Sequence, residues 1–167
     1  MKEKTILKIA TGISVLLIPT LYRKPSVKYW SSLFLLSGVI NHGINRYLTK
    51  KRYITYPKRF APKVFKIELV YDYLICPYIS IWFCQATYKA NVKKIFGTSF
   101  LFALPQMLLE LWALKKTKLI RYHNHWTLLH TFVAILSVKL LSRGILGVSK
   151  KVPFINKTFL NNENQIK

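Results

Sequence analysis

The sequence predicts an all-α fold, a polytopic transmembrane helical bundle with four firm spans and a weaker N-terminal one. The chain has 167 residues and is 51% hydrophobic, yet it carries 27 Lys and Arg, 5 Asp and Glu, and a formal net charge of +22. The apolar residues form long runs, and most of the basic residues lie between these runs. Short strands do not alternate with helices and no glycine-rich turn is present, which argues against a soluble nucleotide-binding enzyme. The long apolar runs and 14% aromatic residues exclude intrinsic disorder.

The individual spans follow from length and hydropathy, because crossing about 30 Å of hydrocarbon takes about 20 mainly apolar helical residues. Four segments meet this requirement: 27–48, 67–88, 92–114 and 126–148. The segment 5–22 is weaker, since its apolar run is short and contains Pro19. It is an uncleaved span, an interfacial helix or a signal peptide, although it lacks a small-residue cleavage site. Residues 1–167 therefore form a single transmembrane domain with a polar flexible tail at 156–167.

The basic residues between the spans predict contact with a lipid bilayer that contains anionic headgroups. No nucleic-acid-binding motif is present, so nucleic acid is not expected as a partner. With five spans, and without Arg46, Lys139 and Arg143 inside the spans, 14 basic residues lie on the side of the N-terminus and 10 on the other side. Because positive loops favour the cytoplasm, the N-terminus is expected inside. With four spans the bias is smaller and the C-terminus lies inside.

The two cysteines predict neither a disulfide nor a metal site. Cys76 and Cys84 fall in one span, eight residues and therefore about 12 Å apart along a helix, which is too far for a disulfide. No zinc-binding spacing and no pairing of a nucleophile with a base is visible. The sequence therefore predicts no cofactor, no metal ligand and no catalytic residue.

The acidic residues indicate a polar layer inside the membrane. Of only five acids, Glu68, Asp72 and Glu110 fall within predicted spans, where charged side chains face inward and usually pair. Residues four apart share a helix face, so His42 lies on one face with Arg46. In an antiparallel hairpin, Arg46 is then expected beside Glu68, and His42 beside Asp72.

Two further residues extend this layer, because Glu110 and His130 each lie four residues from a span end on the same side of the membrane. Asn41 and Asn45 adjoin it. The predicted intramembrane polar layer contains six residues: His42, Arg46, Glu68, Asp72, Glu110 and His130. It is a structural lock between helices, a vestibule for a proton, cation or small solute, or a metal or catalytic site. Arg46 would repel a bound cation.

Two prolines are candidate helix kinks. Pro77 and Pro105 lie in the middle of adjacent spans, and each frees a carbonyl one turn earlier. Broken helices are typical of transport sites, but proline kinks also occur in spans that transport nothing. Lys139 and Arg143 share a face of the last span at a depth without an acid. They snorkel, cap freed carbonyls, or indicate that this span ends near Val138.

Several motifs resemble those of a bacterial membrane-protein family. They are Tyr56-Pro57-x-Arg59-x-x-Pro62-Lys63-x-Phe65-Lys66-Ile67, Tyr71-Asp72, Glu110-x-Trp112, Lys116-Thr117-x-Leu119-Ile120, Trp126-x-x-x-His130-x-Phe132 and Arg143-Gly144. The chain resembles small uncharacterised multi-spanning membrane proteins of bacilli and clostridia over residues 21–148. The resemblance implies a bacterial plasma membrane and carries no activity or site residue with it.

The sequence favours a non-enzymatic accessory or interaction subunit, which would bind a protein partner or form a homo-oligomer. The alternative is a small permease or proton-coupled carrier that uses Asp72, Glu110 and His130. The third interpretation is a membrane-embedded enzyme, although no catalytic signature supports it.

Overall fold

The computed structural model describes residues 2–21, 27–58 and 69–151. Within these residues the chain forms five α-helices: α1 (Lys2–Leu16), α2 (Val27–Lys50), α3 (Cys76–Ala86), α4 (Val92–Lys116) and α5 (Leu128–Lys151). A 3₁₀ helix (Ile18–Leu21) follows α1, and a π-helical turn (Tyr71–Ile75) leads into α3. The predicted all-helical class is confirmed. Glu68 and the predicted tail, 156–167, lie outside the described residues.

A two-stranded β-ladder closes one end of the helix bundle. Strands β1 (Ile54–Thr55) and β2 (Arg121–Tyr122) pair antiparallel, with Ile54 opposite Tyr122. β1 follows α2, and β2 lies between α4 and α5, so the ladder brings both connections to the same end, called here the ladder end. Leu48, Ile54, Tyr56 and Ile120 form a small apolar core beneath it.

The main apolar core lies towards the opposite end of the bundle. Trp30, Phe83 and Leu146 are at most 1% exposed and belong to one cluster, which joins α2, α3 and α5. The helix α1 packs separately, because Leu7 contacts a cluster that contains Val70 and Leu119. The start of α1 is therefore tied to the segment that follows α4.

The side chains of Tyr73 in the π-helical turn and of Pro77 in α3 lie close to the backbone of α2 at Gly38. A Cβ atom on Gly38 would lie 3.0 Å from Cδ1 of Tyr73 and 3.7 Å from Cγ of Pro77. Pro77 lies in the first turn of α3, directly after the wider turn. A proline has no N–H and its ring crowds the carbonyl four residues earlier, which a π turn accommodates. Pro105 lies inside α4, which continues to Lys116.

The helix α4 has an inverted distribution of polar and apolar residues. Its buried residues are small or polar: Ser99, Ala103, Gln106 and Glu110. Its large apolar side chains are exposed, among them Phe100, Leu101, Leu104 and Leu108. A helix on the surface of a soluble protein shows the opposite pattern.

Two of the described helices, α4 and α5 (over Leu128–Ser149), are long and apolar enough to cross a membrane. Only 22% of the most apolar window of α4 and 33% of that of α5 is buried within the protein. The four firm spans expected from the sequence are therefore not supported as such. The helix α3 has only 11 residues, and polar residues such as Asn41, Asn45 and Arg46 lower the hydropathy of α2.

Candidate functional site

A continuous series of hydrogen-bonded side chains crosses the interior of the bundle. We call it the polar chain, and its members are Trp126, Thr131, Tyr122, Glu110, Tyr71, Gln106 and Lys139. They come from the ladder end, from α4, from α5 and from the π-helical turn. Gln106 and Glu110 lie four residues apart and therefore share the buried face of α4.

One half of the polar chain connects the ladder end to the carboxylate of Glu110. Trp126 Nε1 donates to Thr131 Oγ1 over 2.9 Å, and Thr131 Oγ1 donates to the Tyr122 hydroxyl over 2.8 Å. The Tyr122 hydroxyl donates in turn to Glu110 Oε1 over 3.0 Å. Burial, and then the nearby Glu110 carboxylate, raises the pKa of Tyr122. Its phenol therefore remains protonated and available as a donor.

The other half of the polar chain connects Glu110 to a buried lysine. The Tyr71 hydroxyl donates to Glu110 Oε2 over 3.3 Å, and Gln106 Nε2 donates to the Tyr71 oxygen, also over 3.3 Å. Lys139 Nζ donates to Gln106 Oε1 over 2.6 Å. Lys139 is 1% exposed. A cation and a carboxylate are thus linked through a phenol and an amide, without a direct ion pair.

A second hydrogen-bonded group surrounds Asp72. Asn45 Nδ2 donates to Asp72 Oδ1, and the Tyr56 hydroxyl donates to Asn45 Oδ1 over 3.3 Å. Tyr56 follows β1 and is buried, and burial together with the Asp72 charge raises its pKa. It therefore also acts as a protonated donor. Asp72 is fully buried.

A small cavity of about 40 Å³ lies between the two groups. Its polar lining includes Asn45, Tyr56, Gln106, Glu110 and Lys139. A water molecule needs about 10–15 Å³ of such volume and two to four polar partners. The cavity therefore has room for ordered water, but it is far below the volume of an ordinary small-molecule site.

The structure describes five of the six predicted layer residues and places them in different environments. Asp72 and Glu110 are buried, and through their partners they reach the same cavity. His42 is half-buried with its ring 5.6 Å from that of Tyr73, and Arg46 is exposed. His130 is exposed too, and Glu68 lies outside the described residues.

His130 contacts the edge of the polar chain rather than its interior. Its ring lies 5.2 Å from that of Trp126, and its Nδ1 atom is 2.8 Å from the Thr127 hydroxyl. The expected pair of His42 and Asp72 is replaced by the bond from Asn45 to Asp72.

The sequence does not predict six members of the polar chain as part of the layer: Tyr71, Gln106, Tyr122, Trp126, Thr131 and Lys139. The spacing of Gln106 and Glu110 was a usable signal, since both lie on one helix face. Lys139 neither snorkels nor marks a helix end, because it is buried and α5 continues to Lys151. Arg143 donates over 3.1 Å to the carbonyl of Thr87 at the end of α3, which is not one of the carbonyls that the prolines free.

No group of three or more His, Cys, Asp or Glu residues in the described part of the chain could hold a metal ion. Cys76 and Cys84 are both buried and free. No protein-family model matches the chain, and no curated protein or solved structure matches it either.

Proposed function

We propose that the protein is a multi-pass membrane protein of a bacterial plasma membrane that acts as a non-enzymatic accessory or interaction subunit. The observation that carries the proposal is the inverted face of α4. Gln106 and Glu110 are buried there, whereas Phe100, Leu104 and Leu108 are exposed. Large apolar side chains are stable at a surface when hydrocarbon rather than water surrounds them, and polar groups then favour the interior.

The polar chain serves as a lock between the helices in this proposal. Each unsatisfied polar group in hydrocarbon carries a large free-energy penalty, so hydrogen bonds between helices specify how they pack. Both oxygens of Glu110 accept hydrogen bonds, and Lys139 has a short bond to Gln106. These bonds support a polar chain whose groups are paired with one another, as a structural lock requires.

Exposed apolar surface on α5 supports the role of an interaction subunit. Leu129, Val133, Leu141 and Val148 are each more than half exposed. Within a bilayer this surface contacts lipid, a protein partner or a second copy of the chain. The resemblance to small membrane proteins of bacilli and clostridia is consistent with this placement, and no enzymatic group is required for it.

A proton-coupled carrier is the second candidate, favoured by one specific observation. Glu110 and Lys139 are connected only through Tyr71 and Gln106, and both charged residues line the cavity of about 40 Å³. A hydrogen-bonded series with room for water provides a route along which a proton can pass. A carrier would have to open this layer to water during its cycle.

Cysteine accessibility distinguishes the lock from the carrier. In a background with Cys76→Ala and Cys84→Ala, single cysteines replace Ala134 and Ile135, which line the cavity and are not members of the polar chain. Exposed Lys118 and Lys89 supply the control positions. A lock predicts that a small water-soluble thiol reagent labels both controls in isolated membranes and leaves positions 134 and 135 unlabelled. Labelling of positions 134 and 135 at the rate of the controls would reject the lock and favour the carrier.

A further inference from the structure

An apolar crevice lies between α1, the π-helical turn and α4. Its volume is about 150 Å³, and its lining includes Leu7, Ala10, Ile75, Leu109, Trp112 and Ala113. Glu110 and Tyr71 also border the crevice, but their polar atoms bond to each other in the polar chain. These two residues therefore lie between the apolar crevice and the polar cavity of about 40 Å³, and line both.

The side chains around the crevice are apolar as well, which favours hydrocarbon as its occupant. Ile9 and Ile13 on α1 and Leu108 on α4 are exposed apolar side chains close in sequence to the lining residues. Water gains no hydrogen bonds in an apolar space, and an empty space of this size forfeits dispersion contacts. A flexible hydrocarbon chain from a surrounding bilayer can occupy it.

Positively charged side chains lie near the crevice at the ladder end. Lys115 and Lys116 lie in the last turn of α4, and Lys118 follows directly. Since Leu7 packs with Leu119, the start of α1 with exposed Lys4 lies at this end too. Among the residues whose side chains are described, the carboxylates are those of Asp72 and Glu110, and both are buried. Neither of them is at the surface, where it could pair with these lysines in place of an anionic ligand.

We infer that the crevice binds one acyl chain of an anionic phospholipid, whose phosphate group faces Lys115, Lys116 and Lys118. This inference rests on the proposed membrane location and adds a specific lipid site to it. Apolar lining selects the hydrocarbon chain, and the lysines select the negative charge. Each lysine near an anionic surface contributes about 1 kcal/mol, which corresponds to about a fivefold change in affinity.

Trp112 lines the crevice and is 45% exposed, so its fluorescence reports occupancy. The full chain is reconstituted into phosphatidylcholine vesicles with increasing fractions of phosphatidylglycerol whose acyl chains are brominated and quench tryptophan. Parallel vesicles contain brominated phosphatidylcholine. The signal that disappears in Trp112→Phe is the contribution of Trp112. We expect brominated phosphatidylglycerol to reach half-maximal quenching at a mole fraction at least fivefold lower than that needed with brominated phosphatidylcholine. About fivefold is the change in affinity that a single lysine supplies.

Two pairs of variants test the charge and the crevice separately. Replacement of Lys115, Lys116 and Lys118 by Gln should reduce the anionic preference to less than about twofold. The matched control replaces Lys89, Lys93 and Lys94, which are exposed at the opposite end, and should retain the preference. Ala10→Phe fills the crevice and should weaken quenching of Trp112. Its control, Val133→Phe, adds the same ring on an exposed site of α5 and should not.

The outcomes separate this inference from the membrane proposal. Equal quenching by both lipids, or an unchanged preference after replacement of the three lysines, would overturn the lipid site alone. An unquenched Trp112 in protein that resists alkaline extraction would show that another protein surface covers the crevice, and would also overturn it. Protein that alkaline extraction removes from the vesicles would overturn both the membrane location and the lipid site.

Discussion

Lys139 is almost fully buried in α5, and its ammonium group donates to an amide oxygen rather than to a carboxylate. The carboxylate of the polar chain, that of Glu110, is three hydrogen bonds away, with Gln106 and Tyr71 in between. Buried charges are costly when a compensating charge is removed. The two residues are therefore expected to depend on each other although they form no direct ion pair.

A double-mutant cycle with Lys139→Met and Glu110→Gln tests this dependence. Each single variant should lower the free energy of unfolding by about 1–3 kcal/mol, because a buried charge loses its compensation or a hydrogen bond is broken. The double variant should be about 1 kcal/mol more stable than the sum of the singles predicts. Thermal unfolding in one detergent measures all four proteins. Additive effects would contradict coupling through the polar chain.

Tyr122 is the link between the ladder end and Glu110. Tyr122→Phe removes the donor to Glu110 Oε1 and the acceptor for Thr131 while it keeps the ring. We expect a loss of about 1–2 kcal/mol in the free energy of unfolding, since the bond to a charged group is among the stronger kinds. Tyr47→Phe is the matched control, because Tyr47 is 57% exposed and should change stability little. Equal changes in the free energy of unfolding for the two variants would show that the Tyr122 hydroxyl does not stabilise the packing of the helices.

Some site residues, such as Asp72 and Glu110, can be predicted from the sequence, whereas others, such as Tyr56 and Tyr122, cannot, and the difference has a physical reason. Buried acids in apolar segments are informative by themselves, which is why Asp72 and Glu110 were predicted as interior residues. Tyr56 and Tyr122 reach the interior only because two strands of two residues pair across distant parts of the chain. Such short strands have no hydrophobic period that a sequence could display.

At the scale of elements, the contact between α2 and the π-helical turn depends on Gly38. Any side chain there must displace the Tyr73 ring, which lies 3.0 Å from the position of a Cβ atom. The same contact involves Pro77, which the sequence predicts as a helix kink and which lies in the first turn of α3, after the π-helical turn. Helix positions follow from apolar runs, whereas the approach of a side-chain ring to a helix backbone depends on both partners and cannot be predicted from either one alone.

Gly38→Leu should therefore separate α2 from the π-helical turn. We expect a loss of about 2–3 kcal/mol in the free energy of unfolding, within the range for overpacked interiors. Gly43→Leu is the control in the same helix, since a Cβ atom there meets nothing within 4 Å. It should be neutral or stabilising, because Leu favours a helix more than Gly does. Heat-induced aggregation of the purified variants provides the measurement, and equal midpoints would contradict the close approach.

At the scale of the whole molecule, the two ends of the bundle differ in charge. At the ladder end, the exposed basic side chains include Lys50, Lys51, Arg52, Lys58, Lys115, Lys116, Lys118 and Arg121. At the opposite end, the described basic side chains are fewer and include Lys28, Lys89, Lys93 and Lys94. Since α1 begins near Leu119, its basic start adds to the ladder end. A bundle in a membrane should therefore keep the ladder end in the cytoplasm.

Labelling of single cysteines in intact cells tests this orientation. In the background with Cys76→Ala and Cys84→Ala, Lys58→Cys and Lys118→Cys mark the ladder end, and Lys89→Cys marks the other. A membrane-impermeant maleimide should label position 89 in intact cells and positions 58 and 118 only after lysis, because the more basic end stays inside. The reverse pattern would invert the orientation. Labelling of all three positions in intact cells would contradict a single orientation, since Lys58 N–H donates to the Lys118 carbonyl and both positions lie at the end opposite position 89.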